Sequence, residues 1–266
     1  MAQPIFQVDA FASGAFTGNP AAVCVLERAR DVGWMQAVAA EMNLSETAFV
    51  RADGDHWSLR WFTPATEVKL CGHATLASAH ILYETGLLVR TETARFQTLS
   101  GLLTARCEGD GITLDFPAQP PHRTAPPRGL VDALGADPQW VGSNGSDLFV
   151  ELDSAEVVRS LKPDIHALRA VDVRGVIVTA VSDDPRCDFV SRFFAPRVGV
   201  DEDPVTGSAH TALGPFWAHR LERTSLTGYQ ASPRGGFVGV RMRGDRVDLR
   251  GTALTVLRGE LTDSAS

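Results

Sequence analysis

The chain has 266 residues, a formal net charge of -7, and a composition of 44% hydrophobic and 21% charged residues. That is enough apolar material for one large domain or two small ones. The acidic balance, without basic tracts, argues against nucleic acid or an anionic membrane as partner. Cys24, Cys71, Cys107 and Cys187 are widely spaced and form no C-x-x-C pair, which speaks against a zinc finger or a dithiol redox centre. No run is long and apolar enough to span a bilayer. Met1-Ala2-Gln3-Pro4 leads directly into a strand pattern, so no leader is expected, and the expected setting is cytoplasmic with reduced thiols.

In chain order, residues 5–11 alternate as a strand, 16–20 form a turn, and 21–26 read as a more buried strand. Val32, Met35, Val38, Ala39 and Met42 recur at helical spacing over 31–42. A polar Asn43-Leu44-Ser45-Glu46 feeds a strand at 47–50, and another runs over 57–62 to Thr63-Pro64. Residues 73–86 have a helical stripe, and strands follow near 94–99, 102–107 and 112–116. The proline-rich stretch 119–128 is expected as a semi-extended linker between a first lobe, 1–118, and a second, 129–266. The second lobe is expected to hold a short helix at 130–134, strands near 147–152, 175–179 and 188–194, and a helix from Ser208 to about Glu222. Closing strands are expected between 238 and 256, with the segment 249–261 free to return to the first lobe.

The two lobes echo each other. Arg60-Trp61-Phe62-Thr63-Pro64 precedes Cys71-Gly72-His73-Ala74-Thr75, and Arg192-Phe193-Phe194-Ala195-Pro196 precedes Thr206-Gly207-Ser208-Ala209-His210. A repeat at half-chain distance implies two similar units, each with a strand, a turn and a helix start. If the lobes face each other, the free N–H groups of two opposed helix N-termini converge on one anion, most simply a substrate carboxylate. Strands outnumber helices, which fits an α+β fold with a sheet around a central helix better than a βαβ relay.

Several segments together resemble the phenazine-biosynthesis PhzF-like family. They are Val8-Asp9-Ala10-Phe11, Gly18-Asn19-Pro20-Ala21-Ala22-Val23, Asn43 to Phe49, Arg60 to Pro64, Cys71 to Thr75 and Asp203 to Ala209. The resemblance implies a diaminopimelate-epimerase-like fold: two pseudo-symmetric lobes, each a curled, mostly antiparallel sheet around a central helix. It implies a cofactor-independent isomerase or epimerase that shifts a proton within a small carboxylate, and a homodimer. Carried over residue by residue, it assigns the acid/base role to Glu46, places His73 and Asp203 beside it as catalytic residues, and puts Gly72, Gly207 and Ser208 at the substrate. No metal and no cofactor is implied.

The residues themselves support part of this. Glu46 lies between a helix end and an apolar strand, where partial desolvation would raise its pKa toward neutrality. A histidine directly after Gly72, at a helix start, is expected to stay neutral. His80 reads as a packed core histidine, and no third ligand at metal spacing accompanies the pair. Asp203 could cap the second long helix, Ser208 could join the capping or bind a carboxylate, and Asp201 and Glu202 read as solvated. Asn19 could line the cleft, but reads rather as a residue that shapes the turn. No second thiol stands in the echo segment, which speaks against a symmetrical two-thiol mechanism there; Cys71 reads as a small buried apolar residue or as one half of a hybrid site. A dehydratase or lyase on the same site, and a carboxylate-binding protein without turnover, are the alternatives.

Overall fold

The computed structural model describes residues 3–262. Met1 and Ala2, part of the segment read as leaderless, and the last four residues of the expected second lobe lie outside them. The chain divides into two compact units. One runs through Asp115 and takes up the chain again from Arg250; the other is Phe116–Leu249.

The first unit begins with β1 (Gln3–Ala10) and β2 (Asn19–Leu26), which pair antiparallel. Between them Gly18 has φ +70°, and a Cβ there would lie 2.3 Å from the Ala10 carbonyl oxygen, so only glycine fits this turn. Helix α1 (Val32–Met42) crosses over to β3 (Glu46–Asp53), which runs parallel to β2. Next come β4 (His56–Phe62), β5 (Glu67–Val68), helix α2 (Gly72–Glu84), β6 (Ala94–Thr98), β7 (Gly101–Glu108) and β8 (Gly111–Pro117). Ten of the thirteen residues of α2 are buried, because it packs against β1, β2, β3 and β7 at once. A helix touched by strands across a whole sheet is one around which the sheet curls.

The second unit opens with β9 (His122–Arg123), α3 (Leu130–Leu134), β10 (Trp140–Ser143) and β11 (Asp147–Glu151). Short helices α4 (Ala155–Ser160) and α5 (Ile165–Arg169) lead to β12 (Gly175–Val181), and then come β13 (Phe189–Ala195) and β14 (Val200–Asp203). Helix α6 (Gly207–Leu221), β15 (Ser225–Gln230), β16 (Gly236–Arg243) and β17 (Arg246–Gly251) follow. The last strand, β18 (Ala253–Leu261), runs antiparallel beside β1 and also packs on α2, which is why the chain end groups with the first unit.

The pairing pattern reveals why the sequence echoes itself. In the first unit β2–β3 is parallel, β3–β4 and β4–β5 are antiparallel, β4–β6 is parallel, and β6–β7 is antiparallel. The second unit repeats that order with β11–β12, β12–β13, β13–β14, β13–β15 and β15–β16. The two Arg-aromatic-Phe motifs do the same job in each. Arg60 makes a two-pronged pair with Glu67 at 2.7 and 2.8 Å and lies 5.3 Å from the Phe62 ring. Arg192 does so with Glu202 at 2.7 and 2.9 Å and lies 4.9 Å from Phe194. Each Arg–Glu fork ties the motif strand to the short strand that follows, just ahead of the long helix. Glu202, expected as solvated, is therefore an ion-pair partner of a nearly buried arginine; Asp201 is exposed.

The proline-rich stretch 119–128 lies in the second unit, and the reason is in α6. Pro215 has no N–H for the Thr211 carbonyl one turn back, and that carbonyl accepts from Gln119 N instead, at 2.9 Å. Between the prolines, His122 and Arg123 retain their N–H groups and pair with β10.

Candidate active site

In the first unit three expected residues meet. Glu46 opens β3, level with Ala21 of β2. Cys71 is the N-cap of α2 and His73 lies in its first turn. His73 Nε2 is 3.2 Å from Glu46 Oε2, with side chains only 6% and 19% exposed. Asn19 Nδ2 donates to His73 Nδ1 at 3.2 Å. An amide nitrogen can only donate, so Nδ1 is the acceptor and Nε2 carries the proton toward Glu46. The imidazole is neutral because burial pushes its pKa down to about 3, a stronger cause than the helix start invoked from sequence. With the ring uncharged, the 3.2 Å contact with Glu46 is not an ion pair.

Asn19, expected to shape a turn, is fully buried and fixes the histidine; Gly18 makes the turn. Cys71 is buried, as expected, but it is not a bystander: its sulfur is 3.5 Å from His73 Nδ1 and 4.0 Å from Nε2. Donor atoms of Glu46, Cys71 and His73 lie within 4.8 Å of one another. The sulfur's near-equal distances to both ring nitrogens place it beside the ring, off either lone-pair axis. A metal held in the ring plane at either nitrogen would reach the thiolate only after the imidazole turned. His80, expected in the core, is partly exposed and pairs with Thr255 of β18 at 3.0 Å.

In the second unit Asp203 ends β14, four residues before α6 begins at Gly207. Thr206 Oγ1 donates to Asp203 Oδ2 at 2.5 Å. Ser208 Oγ accepts from Arg174 Nη2 at 3.3 Å, and the same guanidinium forks onto the fully buried carboxylate of Asp147 at 2.8 and 2.5 Å. Asp203 Oδ2 and Ser208 Oγ are thus engaged by Thr206 and Arg174, and the N-cap of α6 is Thr206. Gln230, at the end of β15, donates from Nε2 to the Asp203 carbonyl at 2.7 Å and accepts from Thr206 N at 2.9 Å.

The helix starts differ in a way that bears on chemistry. Helices α1, α4 and α5 are closed by Asp31, Ser154 and Asp164, each accepting from the third N–H of its helix. Helices α2 and α6 begin at Cys71 and Thr206 with no side-chain cap. Their first-turn N–H groups lack the intrahelical partner that every helix start lacks, and no side chain of the N-cap replaces it. Sequence reasoning missed Gln230, Thr206 and Arg174. Nothing local marks a glutamine 24 residues from its partner.

Comparison with known proteins agrees along the whole chain. The family model described as phenazine biosynthesis-like protein matches residues 8–259. An uncharacterised isomerase of Halalkalibacterium halodurans is 53% identical over 262 residues, 98% of this chain and 99% of that protein. The crystal structure of a phenazine biosynthesis protein of the PhzF family from Enterococcus faecalis superimposes with a TM-score of 0.94 at 45% identity, covering 98% of this chain and 99% of that one. A hydroxyproline epimerase from Agrobacterium vitis, solved with trans-4-hydroxy-L-proline, shares the fold at a TM-score of 0.62 and 12% identity, covering 99% of this chain and 94% of that one.

Proposed function

The chain belongs to the phenazine biosynthesis-like PhzF family, and on that footing we propose that it is an isomerase or epimerase that moves a proton within a small carboxylate substrate. The observation that carries this reading is the Glu46 carboxyl, four-fifths out of solvent and 3.2 Å from a neutral, buried imidazole beside an uncapped helix start.

Glu46 takes the proton from the substrate carbon. The electron pair left on that carbon delocalises into the substrate carboxylate, and the Glu46 O–H then returns the proton to another carbon or to the opposite face. An uncapped first turn favours an anion through its N–H groups and helix dipole, as that of α2 does at Gly72 in the first unit and that of α6 does at Gly207 and Ser208 in the second. Neutral His73 aims its Nε2–H at Glu46 and holds the carboxylate for attack. Asp203 orients a polar group of the substrate. The steps draw on side chains and backbone alone, and the reading includes a homodimer working in the cytoplasm. Among the described residues no helix is long and apolar enough to cross a membrane.

The deciding experiment is incorporation of solvent deuterium into a panel of amino acids, hydroxyprolines and dihydroaromatic acids, read by mass spectrometry and NMR. Wild type is expected to exchange or rearrange at least one, and Glu46→Gln to lose this while still binding it. Exchange that survives Glu46→Gln would remove Glu46 from the chemistry. Loss of water or another fragment from the product would make the enzyme a lyase. A ligand bound tightly with no exchange would make it a binding protein.

A further inference from the structure

Threonine is among the residue types that cap helices well, and Thr206 occupies the N-cap of α6, yet its hydroxyl does not cap. Its hydrogen bonds explain why. Gln230, fully buried, donates from Nε2 to Thr206 Oγ1 at 3.2 Å as well as to the Asp203 carbonyl at 2.7 Å. Having accepted from the amide, the hydroxyl gives its own proton to Asp203 Oδ2 at 2.5 Å. The Gln230 Oε1 takes the Thr206 N–H at 2.9 Å, and the Thr206 carbonyl accepts from His210 Nδ1 at 2.9 Å, so the residue is held at its N–H, its hydroxyl and its carbonyl. Three hydrogen bonds thus run from the Gln230 side chain to the segment Asp203–Thr206.

We propose that Gln230 is a positioning residue that turns the Thr206 hydroxyl away from the first turn of α6 and onto Asp203, keeping that turn open to the substrate carboxylate. Without it the Thr206 oxygen is expected to take the ordinary cap, accepting from Ala209 N as Asp31, Ser154 and Asp164 do from their third N–H groups. The enzyme's own side chain would then occupy a donor meant for the substrate. The inference rests on the carboxylate reading given above, and it adds a residue that touches neither substrate nor reacting atoms.

The test uses Gln230→Met, which keeps the volume and removes the amide, and the double variant Gln230→Met/Thr206→Val, whose valine has no oxygen to cap with. Benzoate serves as the probe, titrated while the backbone amides of Gly207, Ser208 and Ala209 are followed by NMR. A crystal structure of Gln230→Met is solved alongside. The expected results are Thr206 Oγ1 turned onto Ala209 N, benzoate affinity down about tenfold in the single variant, and recovery to within about threefold of wild type in the double, in line with the strength of an ordinary cap. A purely structural role for Gln230 predicts the opposite for the double variant, which would bind no better than the single. That result, or an unmoved Thr206, or an unchanged affinity in Gln230→Met, overturns the proposal. If the wild-type amides ignore benzoate and the other carboxylates of the panel while Thr206 still turns in Gln230→Met, the carboxylate reading falls and the hold of Gln230 on Thr206 stands.

Discussion

The first turns of α2 and α6 sit at equivalent places in the two units, and they are left open by different chemistry. At α2 the N-cap is Cys71, whose sulfur makes no cap and lies beside His73 instead. At α6 the N-cap is Thr206, a good capping type whose hydroxyl is engaged elsewhere. The contrast teaches that an open helix start can be encoded either by a poor capping residue or by a distant residue that occupies a good one. Only the first kind is visible in the local sequence. The acid also differs: Glu46 faces a neutral imidazole, whereas Asp203 faces a hydroxyl, which fits a proton shuttle in one unit and an orienting contact in the other.

That division of labour can be broken most sharply by comparing Glu46→Gln with Asp203→Asn. Glu46→Gln should lower solvent-deuterium exchange by about a hundred- to ten-thousand-fold, the usual worth of a general base, whereas Asp203→Asn should act mainly through KM. Equal losses of kcat would make the two acids partners in proton transfer.

Acid sharpens the same comparison through the two buried histidines. Burial holds His73 down to about 3 and His210 of α6 to about 4, below the ordinary value of 6.5. An unfolded chain therefore binds more protons than the folded one below 6.5, so stability is fully present above that pH and is lost as pH falls toward 4. Each buried histidine costs about 1.4 kcal/mol for every pH unit in which it is protonated only in the unfolded chain. Urea midpoints at pH 7, 5.5 and 4.5 should therefore decline steeply. Replacing His210 by Gln should flatten part of the slope.

The paired arginine forks offer a third contrast. The Arg192 side chain is 11% exposed and also donates to the Val158 and Leu161 carbonyls, whereas Arg60 is 31% exposed. Arg192→Ala should cost about 3 kcal/mol and Arg60→Ala about 1, read as changes in denaturation midpoint. The smallest effect belongs to Cys71→Ser. A hydroxyl there can cap α2 through Ala74 N, which should raise stability by about 1 kcal/mol and weaken carboxylate binding. A collapse of kcat at unchanged KM would instead put the sulfur in the chemistry.

Much of this was legible in the sequence because it is local or repeated. The Arg-aromatic-Phe-x-Pro motifs announced the two units, and their arginines proved to make matching forks to Glu67 and Glu202. Helices α1 and α2 and many of the strands declared themselves through periodicity, and α6 through its repeat of the α2 start. Short elements such as β5, β9 and α5 did not, because two to five residues hold too little pattern. Gln230, Asn19 and Arg174 stayed hidden for another reason: each acts on a residue 24, 54 or 34 positions away, and only folding brings such partners together. Glu202 was misread because acids in a row look solvated until an arginine from another strand is placed opposite.

The pairing of β18 with β1 sets an order of assembly during synthesis. The first unit begins to leave the ribosome before the second, yet it lacks its strand from residues 253–261 until nearly the whole chain has been made. The second unit, continuous from 116 to 249, has all its strands sooner and can complete its sheet while β1 still presents an unpaired edge. Chains stalled or truncated before residue 253 would carry that open edge indefinitely, and it is there, rather than at the active site, that they should aggregate.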